Sequence, residues 1–202
     1  MSTRAIRLAG LCGLLAPTIT LTLIFAAIAL SPWFSWHDNA LSDMGVRQTA
    51  LLFNTALLAG GLMYLVFIAG FLHWRRMKST RSRIAAVLML IGATGLMLIS
   101  IITENAGLVH NAVAATYFFA TPIAYVLIGS DWIQHGEKVS GGLSVAAGVI
   151  AMLMIVAVPH KRVAVPEILA TVILGAWTFS IGLKMLIEPE SLHEQTRPAI
   201  QR

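Results

Sequence analysis

Three short stretches hold most of the side chains in this sequence that could do chemistry: WHDNALSDMG (36–45), TENAGLVHN (103–111) and PHKRVAVPE (159–167). The first carries His37, Asp38, Asn39, Ser42 and Asp43, the second Glu104, Asn105, His110 and Asn111, the third His160 and Glu167. A histidine, carboxylates and a serine are the parts of acid–base and nucleophilic catalysis. His110 would be the general base, Asp43 or Glu104 would orient it, and Ser42 would be the nucleophile or a substrate-binding hydroxyl. His37 and His110, joined by carboxylates, are also a donor set for zinc or another first-row divalent ion. The same side chains can instead satisfy one another and the helix ends as a hydrogen-bond network. Asp38, Asn39, Asn105, Asn111 and Glu167 would be its further members. Ser42 has no nucleophile-elbow context, which weakens the catalytic reading. No HExxH, paired-histidine or cysteine motif supports a metal. The network accounts for every residue without requiring a reaction, and it carries the most weight.

Whatever these stretches do, the elements that position them belong in a bilayer. The chain is 57% hydrophobic and only 11% charged over 202 residues. A transmembrane helix needs about 20 mostly apolar residues. Six segments meet or approach that length, near residues 8–30, 50–72, 84–103, 111–130, 141–158 and 166–187. The expected fold is therefore all-α, an integral membrane bundle of six transmembrane helices filling residues 1–190, with a polar tail at 191–202. The connections are too short for a soluble domain. The start MSTRAIRLAG imitates a secretory signal, but its apolar run of about 23 residues exceeds the 7–15 of a signal core, so a retained first helix is expected. Cys12, the single cysteine, lies inside that run and has no disulfide partner.

Charge sets the expected topology. Arg75, Arg76, Lys78, Arg81 and Arg83 crowd one loop, and short Lys/Arg-rich loops stay cytoplasmic. Placing that loop inside puts eleven basic residues inside and only Arg47, Lys161 and Arg162 outside. Both termini are then cytoplasmic in the cell membrane, and the three polar stretches share the outer face. The basic loop reads as a topology signal or a contact for anionic headgroups, with no nucleic-acid partner.

Local signals refine the picture. Asp38 is a plausible N-cap and Gly45 a plausible stop, so Asn39–Met44 is expected to form a short helix with Asn39, Ser42 and Asp43 on one face. Trp33, Phe34 and Trp36 would anchor it at headgroup level. Pro17 and Pro122 fall inside spans, where Thr18, Thr20 and Thr121 are candidates to satisfy the freed carbonyls. Gly10, Gly13, Gly60, Gly61, Gly92, Gly95 and Gly148 would let helices pack closely. Asp131, Trp132 and His135 read as a polar inner turn.

NALSDMG (39–45) followed by an apolar helix, TENAGLVHNAVA (103–114) opening the fourth helix and Pro166-Glu167 opening the sixth resemble the domain-of-unknown-function 998 family of prokaryotic multi-pass membrane proteins. Asn39, Ser42, Asp43 and Gly45 match its first polar box, and Glu104, Gly107 and His110 its second. Thr103 stands where the family tends to have proline. The resemblance implies the six-helix fold and an undetermined activity. The expected function is an outward polar cluster serving as a structural network or a small-ligand or lipid site. The protein would then be a binding module or an accessory subunit of a membrane complex, with membrane lipids as partners. The alternative is a membrane-embedded hydrolase or transferase at the outer leaflet, with a divalent metal as the one cofactor under consideration.

Overall fold

The computed structural model describes residues 1–75, 79–157 and 164–189. Among these residues the secondary structure is entirely helical. Six helices follow in order: α1 (Thr3–Ala29), α2 (Ala50–Arg75), α3 (Thr80–Ile99), α4 (Leu108–Gln134), α5 (Lys138–Val156) and α6 (Ala164–Ile187). All six are long and apolar enough to cross a membrane. This is a multi-pass membrane protein. Two short 3-10 turns, Leu41–Val46 and Glu104–Ala106, lie in the α1–α2 and α3–α4 connections.

Serines begin two of the helices. Ser2 accepts from Ala5 N–H ahead of α1, and Ser79 accepts from Ser82 N–H ahead of α3, each satisfying an amide that a helix start leaves free. The third helix stops at Ile99, earlier than its apolar run, and Ser100 Oγ folds back onto Met97 C=O. Gly107 then enters α4 at φ +56°, and Gly136 leaves it at φ +91°, conformations that cost a residue with a Cβ.

The helices form a ring in chain order. Each packs mainly against its sequence neighbours, and α6 returns to close on α1. Two seams are glycine-lined. A Cβ on Gly10 would fall 2.7 Å from the Gly182 carbonyl, and one on Gly182 would fall 2.6 Å from the Gly10 carbonyl. Gly129 and Gly141 repeat that reciprocal contact between α4 and α5. Close approach of backbones is how helices associate where lipid removes the hydrophobic incentive.

Pro17 and Pro122 lie inside α1 and α4 as expected, but the threonines near them act otherwise. Thr18 donates to Leu14 C=O, Thr20 crosses to Ala56 C=O on α2, and the buried Thr121 hydroxyl has no partner among the described residues. Each proline frees the carbonyl four residues back, Gly13 or Phe118, and none of the three threonines reaches it.

One half of the ring interior is solid. Phe67, Phe71, Trp74, Tyr125, Trp132 and Trp177 pack ring against ring, the Tyr125 and Trp177 centroids 3.8 Å apart. Trp177 Nε1–H donates to Ser144 Oγ, which pins α6 to α5. Arg75 caps this plug: its guanidinium lies 4.2 Å above the Trp132 ring and forks onto both Glu137 oxygens at 2.6 and 3.2 Å. The Arg75 side chain is 8% exposed. Trp132 therefore belongs to the core and not to a polar surface turn, because burial of its ring and stacking of Arg75 outweigh the polarity of Asp131 and His135 beside it.

Candidate functional site at the open end of the ring

The other half of the interior is where the α1–α2 and α3–α4 connections meet. After α1, Ser31 Oγ and Thr49 Oγ1 lie 3.1 Å apart and tie the base of the connecting loop. Trp33, Phe34 and Trp36 follow as an edge-to-face ladder, with the Arg47 guanidinium 4.3 Å from the Trp33 ring centre. The chain then tightens on its own side chains. Ser35 N–H donates to Asn39 Oδ1, Asn39 Nδ2 donates to Asp43 Oδ2 at 2.8 Å, and Ala40 N–H reaches the same oxygen at 3.2 Å.

The expected α-helical face of Asn39, Ser42 and Asp43 is not formed. The turn starts at Leu41, is 3-10 and is N-capped at Ala40; Asp43, two residues inside it, bonds back to the cap residue's own N–H. Asn39 lies outside this turn and bonds Asp43, while Ser42 is bonded to a different partner. Asp38 is not the cap, since its carboxylate accepts from Ser35 Oγ on an exposed bend. Gly45 is not the stop either: the turn runs on to Val46, and Gly45 is there for clearance. Its Cβ would sit 2.7 Å from Asn54 Oδ1, while Asn54 Nδ2 donates to Gly45 C=O at 3.0 Å.

Ser42 Oγ–H donates to Glu104 Oε2 at 2.6 Å, joining the two 3-10 turns. The same oxygen lies 3.0 Å from His110 Nε2. His110 is 3% exposed, and its Nδ1–H donates to the Ile102 carbonyl at 2.6 Å. A carbonyl only accepts, so Nδ1 carries a proton. The order is serine, carboxylate, histidine: the base against Ser42 is Glu104, and the His110 ring is fixed at its far side to backbone. Asp43 does not orient His110, because its oxygen is spent on Asn39 and Ala40.

Glu167 completes the frame from α6. Its Oε2 accepts Leu41 N–H at 2.9 Å, and Ala164 N–H donates to Asn39 C=O at 3.2 Å. Six of the side chains singled out in the sequence are thus gathered here: Asn39, Ser42, Asp43, Glu104, His110 and Glu167. Asn105 and Asn111 are exposed and make no side-chain hydrogen bond among the described residues, because the Gly107 turn directs them outward. His37 is exposed and, among the described residues, bonded only through its backbone, so it is not gathered with His110. Among the described residues no three His, Cys, Asp or Glu side chains stand together as a metal cage. His160 lies outside the described residues.

The frame edges a cavity of about 40 Å³. Ser42, His110, Tyr117, Glu167 and Thr171 are its polar lining residues, and the remainder are apolar, such as Ile24, Leu57, Leu96 and Phe118. A second cavity of about 40 Å³ adjoins it deeper in the ring. Seven hydroxyl residues border this one, among them Tyr64, Tyr117, Tyr125 and Thr178. Tyr125 OH lies 2.8 Å from Thr178 Oγ1 and 3.2 Å from Tyr64 OH. Sequence reading missed these residues. The signal was their spacing: Tyr117, Thr121 and Tyr125 recur every four residues, as do Glu167 and Thr171.

No curated protein and no solved structure matches the chain. A family model does, over residues 14–184, a span that takes in both polar boxes and Glu167. With six apolar helices in a ring and those boxes bonded to each other at its open end, the chain belongs to the DUF998 family, described as proteins of unknown function.

Proposed function

We propose that this protein is a binding module for a membrane amphiphile, working at the outer face of the cell membrane with both termini in the cytoplasm. The observation that carries the reading is that Ser42, His110 and Glu167, with Tyr117 and Thr171, edge a cavity whose other walls are apolar. A network built only for packing would close on itself. One that borders an apolar hollow with a few convergent polar groups has the form of a ligand site. The orientation rests on the eleven-to-three asymmetry of basic residues. Membrane lipids are the partners, and an accessory role in a larger membrane complex is compatible with the same site.

The test is organic extraction of the detergent-purified protein followed by mass spectrometry. A lipid retained near one per chain by wild type and lost in Ser42→Ala and His110→Gln supports the module. A profile matching the bulk membrane in all three proteins overturns it. One observation favours a second reading, an outer-leaflet hydrolase or transferase: Glu104 is a base already in contact with the Ser42 hydroxyl. Labelling by a fluorophosphonate that disappears in Ser42→Ala would support it. A wild-type protein inert to the reagent would count against a nucleophilic serine.

A further inference from the structure

The lower cavity, the deeper of the two, is walled by every helix except α5, and no charged side chain borders it among the described residues. Its hydroxyls come from α1, α2, α4 and α6, and nearly all have spent their protons. Thr178 Oγ1–H donates to Leu174 C=O at 2.9 Å, a shorter reach than the 3.3 Å from Tyr125 OH. Each hydroxyl has one proton, so Tyr125 OH donates to Thr178 Oγ1 at 2.8 Å and Tyr64 OH to Tyr125 OH at 3.2 Å. Thr20 donates to Ala56 C=O and Thr171 to Glu167 C=O. What these five oxygens have left is lone pairs.

Tyr117 is the exception. It is 7% exposed, borders the cavity, and its hydroxyl bonds nothing among the described residues. Nor is that oxygen sealed off, as Thr121 Oγ1 is; Thr121 is turned onto Gly92 of α3, where a Cβ would strike its hydroxyl. A buried hydroxyl without a partner forfeits the hydrogen bonds it had in water. Pro17 borders the cavity as well. The carbonyl its ring frees, Gly13 C=O, shares a helix face with Ala16, Pro17 and Thr20 by steps of three and four. Ordered water is one of the ways a membrane helix satisfies such a carbonyl.

We infer that the lower cavity is a water site enclosed in the bundle, its molecules accepting from Tyr117 OH and donating to the lone pairs left on Tyr64, Tyr125 and Thr178. The volume of about 40 Å³ admits about three waters at 10–15 Å³ each. A hydrocarbon segment would suit the methyl and ring carbons that make up most of the wall, but it would leave Tyr117 unbonded. An ion would meet only neutral hydroxyls, with no opposite charge to offset its desolvation. Water both donates and accepts, as this set of groups requires. Tyr117 also borders the first cavity, so the waters brace one wall of the proposed ligand site without depending on its occupant.

The experiment is X-ray hydroxyl-radical footprinting of the detergent-purified protein, in which radicals made from bound water oxidise the side chains beside it and mass spectrometry reads each residue. Tyr64 and Tyr125, 5% and 0% exposed, border only the lower cavity and should be oxidised. Phe67 and Phe71, both 0% exposed in the solid half of the ring, should not be. Ala16→Leu, which fills the cavity, should abolish the Tyr64 and Tyr125 labels, and Leu21→Phe provides the same test should Ala16→Leu fail to fold. Tyrosine labels no stronger than those of Phe67 and Phe71, or labels that survive filling, overturn the enclosed water. Thermal melting in detergent tests Tyr117 separately. Tyr117→Phe should lower Tm, because removing a hydroxyl that has a partner destabilises whereas removing one that has none does not; an unchanged or raised Tm overturns its bond to water.

Discussion

Replacing His110 with alanine is the sharpest test of the network, because the side chain is 3% exposed, its Nδ1 is bonded to Ile102 C=O and its Nε2 lies 3.0 Å from Glu104 Oε2. The loss has two parts. Ile102 C=O loses its 2.6 Å donor just before the second 3-10 turn, and an acceptor left unsatisfied costs roughly 1–3 kcal/mol. The contact with Glu104 also goes, but that carboxylate is 36% exposed, so it contributes only about 1 kcal/mol after solvent screening. Together these give about 3 kcal/mol, or a drop of roughly 6–12 °C in Tm at the 2–4 °C per kcal/mol expected for a chain of this size. The assay is tryptophan emission during thermal unfolding in detergent. Ser42→Ala, which removes one half-buried hydroxyl, should cost about 1 kcal/mol. The double variant should lose less than the two single losses combined, since both residues act on Glu104 Oε2. A His110→Ala protein melting within about 1 °C of wild type, far below that slope, or strict additivity with Ser42→Ala, would refute the connected chain.

Glu137→Ala should lower Tm more than Arg75→Met, because the first strands a guanidinium that is 8% exposed while the second frees a carboxylate that is 31% exposed; equal losses in the same assay would contradict the asymmetry. Gly182→Val should cost about 1–3 kcal/mol by overpacking the α1–α6 seam, whereas Gly142→Val, where a Cβ meets nothing within 4 Å, should melt as wild type does. With Cys12 replaced by serine, Asn105→Cys should react with an impermeant maleimide on intact cells and His135→Cys only after permeabilisation, both positions being exposed; the reverse pattern would invert the proposed topology.

The ring was legible in the sequence to the extent that it depends on apolar length. Six runs of Leu, Ile, Val, Ala and Met, each about 20 residues long, give six helices because a helix satisfies its own backbone in lipid. The meeting of Ser42, Glu104 and His110 followed from placing their loops on one face. The details that failed are those that rest on turn type. A 3-10 turn that starts only at Leu41 leaves Asn39 outside it and Ser42 with a partner of its own, and Asn105 and Asn111, either side of a positive φ at Gly107, are exposed. Arg75 was read as a topology charge, yet Glu137 and Trp132, both distant in sequence, draw it into the core. The lower cavity escaped notice because its tyrosines and threonines look unremarkable one by one. Only their common helix face, seen once α4 and α6 pack with α1 and α2, brings them to one cavity.

The return of α6 to α1 across Gly10 and Gly182 also bears on how the protein is made. Five helices in the bilayer form an open crescent, with Tyr125 lacking its Thr178 partner and Leu41 N–H lacking Glu167. α6 supplies both, and it closes the circle against α1. Until α6 docks, the Tyr125 hydroxyl and the Leu41 amide lie along an unclosed edge of the crescent, so one docking event completes both the ring and its polar frame.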